Sequence, residues 1–248
     1  MAAYFFSDVH LGLESSEREK LKENRLIGFL KAILPTTDQL FIVGDLFDFW
    51  FEYGTVIPKG FHRTLAALQE FTDRGIPVHY IAGNHDFWMR DFFTHELGLQ
   101  LHFEPFETTI AGKRVFLHHG DGLAENDLGY RLIKPVLRNR FNIALYRWLH
   151  PDLGIRLARR SSRSSRAYST HKHYGEAEGM IKFARERIRE GTDFVVMGHR
   201  HKPSIVALEN ALYVNLGDWI SFNTYAELSE GTMQLKMWDG KEGRMYAD

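Results

Sequence analysis

Five short groups of polar residues carry the side-chain types that bind divalent metals. They are Asp8-Val9-His10, Gly44-Asp45, Gly83-Asn84-His85-Asp86, His119-Gly120-Asp121 and Gly198-His199-Arg200-His201. Each follows an apolar run of strand length, such as Leu40-Phe41-Ile42-Val43 or Phe194-Val195-Val196-Met197. Asp8, His10, Asp45, Asn84, His119, His199 and His201 are therefore candidate metal ligands. Imidazole, carboxylate and carboxamide donors without sulfur suit Mn2+ first, with Fe2+ or Zn2+ as alternatives, and not Ca2+. Asp45 has two oxygens and can bridge two ions. Two ions ~3.5–4 Å apart clamp an oxyanion and supply hydroxide near neutral pH. Taken singly, each group has an ordinary reading as an N-cap, a turn residue or a loop histidine. All of them in order at strand ends point to a dinuclear hydrolytic centre.

Something must hold these groups together, and the spacing predicts what. Strands are expected at 4–6, 40–43 and 78–82, alternating with helices at 15–31 and 61–74. Such alternation implies an α/β fold with parallel strands joined by right-handed crossovers. Ligand sites of these sheets lie beyond the carboxyl ends of the strands, where the polar groups fall. Further strands are expected at 99–103, 106–110 and 114–118, with a hairpin turn at Ala111-Gly112-Lys113. Those at 204–208, 211–215 and 233–238 suggest a second sheet.

The 248 residues are 44% hydrophobic and 25% charged, with no cysteine, which suits a water-soluble fold and excludes disulfides and thiolate ligands. No apolar run approaches the length needed to cross a bilayer. Met1-Ala2-Ala3-Tyr4-Phe5-Phe6 lacks the basic flank of a signal peptide, so a cytoplasmic location is expected.

Charge is unevenly spread. Residues 131–172 hold eleven Lys and Arg but one acid, Asp152, a net +10 in a chain whose total is −1. This block implies an anionic partner. It is expected to be helical, with a first helix at 133–148 started or kinked by Pro135, and a second from Asp152 towards Thr170. A third helix is expected at 174–190. Leu132, Ile133, Val136, Leu137, Phe141, Ile143, Leu145, Trp148 and Leu149 could line an apolar groove or pack on the core.

The five groups resemble, in order and over nearly the whole chain, the motifs of the calcineurin-like metallophosphoesterases. The resemblance implies a four-layer αββα sandwich in one domain over 1–248, with a helical cap inserted at about 123–175. It implies that Asp8, His10, Asp45 and His201 hold one ion, and Asp45, Asn84, His119 and His199 the other. His85 would contact the phosphoryl group or protonate the leaving group, a task imidazole suits near neutral pH. Asp86 is expected to orient His85, and Asp121 to orient His119. Asp48 is read as a turn residue.

A finer resemblance is to the UDP-2,3-diacylglucosamine pyrophosphatase family of lipid A synthesis. It rests on Gly44-Asp45-Leu46-Phe47-Asp48-Phe49-Trp50, on His119-Gly120-Asp121-Gly122-Leu123 with Asp127 and Gly129-Tyr130, and on His150-Pro151-Asp152-Leu153-Gly154-Ile155-Arg156-Leu157-Ala158. It implies cleavage of UDP-2,3-diacylglucosamine to UMP and 2,3-diacylglucosamine 1-phosphate, with the cap holding both acyl chains. The implied substrate contacts are Asn84, His85, Asp127, Tyr130, Ser165, Arg166, Ser169, Lys172 and His199. The chain departs from many members at His85, where they carry Arg, and from some at Ser169, where they carry Asn. Peripheral attachment to the anionic inner membrane follows as an expectation, with no nucleic acid and no obligate protein partner. The alternative is another metal-dependent phosphodiesterase or a nuclease of the superfamily. Only Tyr168 and Tyr174 stand near the arginines as stacking platforms for bases.

Overall fold

The computed structural model of the chain describes residues 2–123, 128–158 and 176–247. The first half alternates as expected: β1 (Ala2–Phe6), α1 (Ser16–Ile33), β2 (Thr37–Val43), α2 (His62–Asp73), β3 (Val78–Ile81), α3 (Phe92–His95) and β4 (Gln100–His102). β5 (Phe106–Ile110) and β6 (Lys113–His118) form the expected hairpin. Then come α4 (Leu128–Arg138), α5 (Arg140–Arg147), α6 at 151–158 and α7 (Glu176–Arg189). β7 (Phe194–Met197), β8 (Ser204–Leu208), β9 (Ala211–Asn215), β10 (Thr224–Ser229), β11 (Thr232–Trp238) and β12 (Gly243–Met245) follow.

Two mixed sheets result, ordered β12-β11-β10-β1-β2-β3-β4 and β5-β6-β7-β9-β8. The strands that deliver the polar groups pair in parallel: β1 with β2, β2 with β3, and β6 with β7. These strands are buried on both faces, so they read as continuous apolar runs. Alternate side chains still part company. Tyr4, Phe6, Leu40 and Ile42 face α1 and α2, where Leu26, Phe29, Leu30, Leu65, Leu68 and Phe71 meet them at helical spacing. Ala3, Phe5, Phe41 and Val43 face the second sheet and meet Val115, Leu117, Phe194 and Val196. Val195 and Met197 point outward to Met180, Ala184 and Ile188 of α7. Helix, sheet, sheet and helix therefore stack in four layers. Burying each large side chain in these layers contributes ~1.5–3 kcal/mol.

Two expectations are corrected. β11 joins the first sheet and not the second, because β10, which the sequence reading did not anticipate, pairs with β1 on one side and β11 on the other. β12 was also unanticipated. The single helix at 133–148 is two helices broken at Asn139, whose extended backbone caps α5 while its side chain accepts from the backbone N–H of Phe141 at 2.9 Å. Pro135 sits inside α4. The helix expected from Asp152 is described only to residue 158, as α6. Among the described residues, no helix is long and apolar enough to cross a membrane.

Candidate metal centre

The carboxyl ends of β1, β2, β3, β6 and β7 meet, and the seven expected ligands meet with them. Asp8, His10 and His201 form one convergent group, and Asp45, His119 and His199 a second, each with ligand atoms within 4.8 Å of one another. His119 Nε2 lies 3.1 Å from Asn84 Oδ1, which brings the carboxamide into the second group. Asp8, His10, Asp45 and His119 are buried.

Each carboxylate is divided between a backbone anchor and the centre. Asp8 Oδ2 accepts from His199 N at 2.9 Å, while Oδ1 lies 3.7 Å from His10 Nε2 and 3.5 Å from His201 Nε2. Asp45 Oδ1 accepts from His85 N at 2.9 Å, while Oδ2 lies 3.6 Å from His10 Nε2 and 3.3 Å from His119 Nε2. Asp45 Oδ2 is thus the oxygen set between the two imidazoles. The imidazoles follow a parallel rule. His119 Nδ1 donates to the Val43 carbonyl at 2.9 Å, and His201 Nδ1 faces Asp218 at 3.2 Å. The carbonyl can only accept, so this anchor fixes the His119 tautomer and turns its Nε2 to the centre.

The donor set fits a pair of cations. Asp8 Oδ1 and His10 Nδ1 are buried with no hydrogen-bond partner among the described residues, which demands an explanation in so closed a place. His10 Nε2 and His201 Nε2 stand 3.2 Å apart, where two imidazole lone pairs repel unless a proton or a cation lies between them. The backbone is also strained here. Asp8, His10, Asp45, His199 and His201 all have left-handed φ, between 48° and 71°. Such residues cost of order 1–3 kcal/mol each and cluster at functional sites. The motif glycines serve close approach: a Cβ on Gly83 would strike Asp45 Oδ1, and one on Gly198 would strike Asp8 Oδ2.

Without cations, the cluster balances its own charge. Burial disfavours the charged form of His10, but the Asp48 and Asp8 carboxylates, 3.6 and 3.7 Å away, and the charge of Asp45 outweigh it and raise its pKa to about 9. Burial likewise opposes a charged His119, and Asp45 and Asp8 overcome it, raising the pKa to about 10. Burial would raise Asp8, yet His201, His10 and His119 hold it down at about 2. His199 is the exception. Burial and the neighbouring His119 push it down to about 4.

Two carboxylates exchange the roles expected of them. Asp86, expected to orient His85, turns into the core, where it accepts from Tyr80 Oη at 2.5 Å and Gly83 N at 2.9 Å. Burial and the charge of Asp45 raise its pKa to about 6. It braces the 83–86 loop from beneath. Asp48, read as a turn residue, stands at the centre instead, its Oδ1 3.6 Å from His10 Nδ1 and 3.8 Å from His85 Nδ1. Its carbonyl accepts from His85 Nδ1 at 3.0 Å. Asp218 was missed altogether. A signal existed, since Gly217-Asp218 follows the apolar β9 as Gly44-Asp45 follows β2.

Asp121, expected beside His119, accepts from Lys134 at 2.7 Å and Arg138 at 3.1 Å, both on α4. Arg138 also stacks over Phe87 at 4.0 Å, and Trp88 Nε1 donates to the Leu137 carbonyl at 3.1 Å. Tyr146 of α5 packs on Phe51, 4.8 Å between centroids. These contacts seat the cap helices beside the centre. Their apolar side chains face outward: Leu132, Ile133, Val136, Leu137, Phe141, Leu145 and Trp148 are exposed, Trp148 at 89%. Of the expected substrate contacts, Asn84, His85 and His199 are at the centre, and Tyr130 lies in the first turn of α4. Asp127, Ser165, Arg166, Ser169 and Lys172 lie outside the described residues.

Residues 1–203 match the calcineurin-like phosphoesterase family. A Porphyromonas gingivalis protein named UDP-2,3-diacylglucosamine hydrolase is 36% identical over 96% of this chain and 98% of its own length. One of the same name from Stenotrophomonas maltophilia is 30% identical over 88% of this chain and 91% of its own. Among solved structures, a Vps29 double mutant from Entamoeba histolytica superposes with a TM-score of 0.50 at 13% identity, covering 100% of both chains, which is a likeness of fold alone.

Proposed function

The chain belongs to the calcineurin-like phosphoesterase family, and from that premise we propose that it is a UDP-2,3-diacylglucosamine hydrolase. The observation that carries the substrate is the near full-length likeness to the Porphyromonas gingivalis hydrolase of that name. The exposed apolar face of α4 and α5 beside the centre supports it, because two fatty chains need such a face next to the diphosphate.

In this reading Asp8, His10, Asp45 and His201 hold one ion, and Asp45, Asn84, His119 and His199 the other. We take Mn2+ first, with Fe2+ or Zn2+ compatible with the same donors. Two such ions supply Lewis acidity and hydroxide near neutral pH. The chain itself supplies position and protons. Asp45, fixed at Oδ1 by His85 N, keeps Oδ2 between the two halves. His85, whose Nδ1 donates to the Asp48 carbonyl, would contact the phosphoryl group and protonate the leaving phosphate. Water adds to the phosphorus that bears uridine, and the bond to the oxygen of the acylated sugar phosphate breaks. The products are UMP and 2,3-diacylglucosamine 1-phosphate. Lys and Arg of the cap draw in the anionic substrate, and the apolar face lets the protein rest on an anionic membrane as a peripheral enzyme.

The test compares turnover of the diacylated UDP-sugar with its deacylated form, bis-p-nitrophenyl phosphate and single-stranded DNA, in water enriched in oxygen-18. The diacylated substrate should be strongly preferred and the label found in UMP. Equal rates on the deacylated sugar would remove the lipid, and preference for DNA would select the nuclease alternative.

A further inference from the structure

We propose that Asp218 is a positioning residue that sets the tautomer of His201. This rests on the metal-centre reading above and goes beyond it, because neither the motifs nor the expected ligands include Asp218. The residue is 4% exposed and lies in the loop between β9 and β10. Its Oδ1 accepts from three successive backbone N–H groups, Ile220 at 3.1 Å, Ser221 at 2.8 Å and Phe222 at 3.1 Å. Three donors on one oxygen fix the carboxylate plane and leave Oδ2 to face His201 Nδ1 at 3.2 Å. A carboxylate oxygen only accepts, so Nδ1 must donate, and the lone pair falls on Nε2. That nitrogen is the one directed at Asp8 Oδ1, 3.5 Å away.

The loop is tied to the same ligand group a second time. Trp219 N donates to the Asp8 carbonyl at 3.1 Å. Thr224 Oγ1 closes the loop on the Leu216 carbonyl at 2.6 Å. His201 is far more exposed than His10 and His119, its side chain at 34% against 1% for each of them. An open imidazole has the least packing to hold its ring. Asp218 replaces that packing with a hydrogen bond whose direction is fixed from behind, as carboxylates do for metal-bound histidines generally.

Asp218→Asn tests this while sparing the loop. The amide oxygen can still accept the three backbone N–H groups, so the NH2 group is turned to His201. It donates to Nδ1, places the ring proton on Nε2 and removes the lone pair from the centre. Titration calorimetry of metal-free protein with Mn2+ should show two ions for the wild type. The variant should bind one of them 10–100-fold more weakly and the other unchanged. Long-range proton–nitrogen-15 spectra of metal-free protein should move the His201 proton from Nδ1 to Nε2. In a His201→Ala background, Asp218→Asn should change nothing further, because it acts through the missing ring. Unchanged affinities in the single variant, or an added loss in the double variant, would overturn the proposal. So would equal weakening of both ions with a lowered melting temperature, the mark of a merely structural role. A wild-type chain that takes up no ion would overturn the metal-centre reading itself, and the proposal with it.

Discussion

The metal centre and the cap helices are built on opposite terms. The centre is largely buried, its Asp8 and Asp45 carboxylates are each pinned by a backbone N–H, and five of its ligands hold left-handed backbone that the surrounding sheets must enforce. The cap lays its apolar side chains open and is fastened through Asp121, Phe87, Trp88 and Phe51. Rigid geometry suits a reaction that is the same for every phosphoester. An open apolar face suits the part of the substrate that distinguishes one ester from another.

The largest effect should come from the rigid side. Asp45→Ala removes the oxygen shared by both halves, so turnover should fall to background and metal analysis should find both ions diminished. Wild-type activity with two ions retained would break the dinuclear assignment.

Next come the acyl chains. Each buried methylene is worth ~0.8 kcal/mol, so shortening one chain by four should cost ~3 kcal/mol in kcat/KM, over a hundredfold. Phe141→Asp should erase that dependence. Because Phe141 is 74% exposed, the variant should keep its circular dichroism spectrum. A substrate series with no dependence on chain length would deny the cap its role.

A smaller effect is expected where the two regions join. Arg138→Ala removes an ion pair with Asp121 and the stack on Phe87. It should raise KM about tenfold, roughly 1.4 kcal/mol, and leave kcat nearly intact, since a loosened cap loses binding common to ground and transition states. A fall in kcat with KM unchanged would place the cap in the chemistry instead.

The smallest effect separates protons in the centre from protons elsewhere. His79 on β3 stacks on Phe41 and Phe106, and burial, with His102 beside it, lowers its pKa to about 4. A depressed histidine takes its proton more readily when unfolded. Its contribution to stability is therefore whole above pH ~6.5 and declines as pH falls towards 4. His79→Phe should lessen the drop in melting temperature over that window. His10, raised to about 9, has the opposite sign: in metal-free protein its contribution is whole below pH ~6.5 and is lost as pH rises through 9.

Much of this was legible in the sequence, for reasons that particular residues make plain. Strands buried on both faces, such as Leu40 to Val43, announce themselves by apolarity, and ligands at their ends follow from topology. What stayed hidden depends on partners far away in the chain. Thr224-Tyr225-Ala226-Glu227-Leu228-Ser229 has mixed polarity, and only the open side of β1 makes it a strand. Asp48 and Asp86 differ by which way a loop turns, which neither spacing nor residue type encodes. Asn139 is different, because an N-cap asparagine between two helical stripes is a signal that could have been used.

The pairing of β1 with β10 has a consequence for synthesis. Phe5 lies opposite Ala226, so the central strand of the larger sheet waits for a neighbour made roughly 220 residues later. At ~5–20 residues per second that wait lasts roughly 10–45 s. During it, β1 can pair with β2 on one side while its other edge stays open, and an open apolar edge recruits foreign strands. The wait also delays His199 and His201, so the nascent chain carries Asp8 and Asp45 long before anything completes their cluster. A lesion in residues 224–229 should thus be felt first as aggregation of new chains and only afterwards as lost activity.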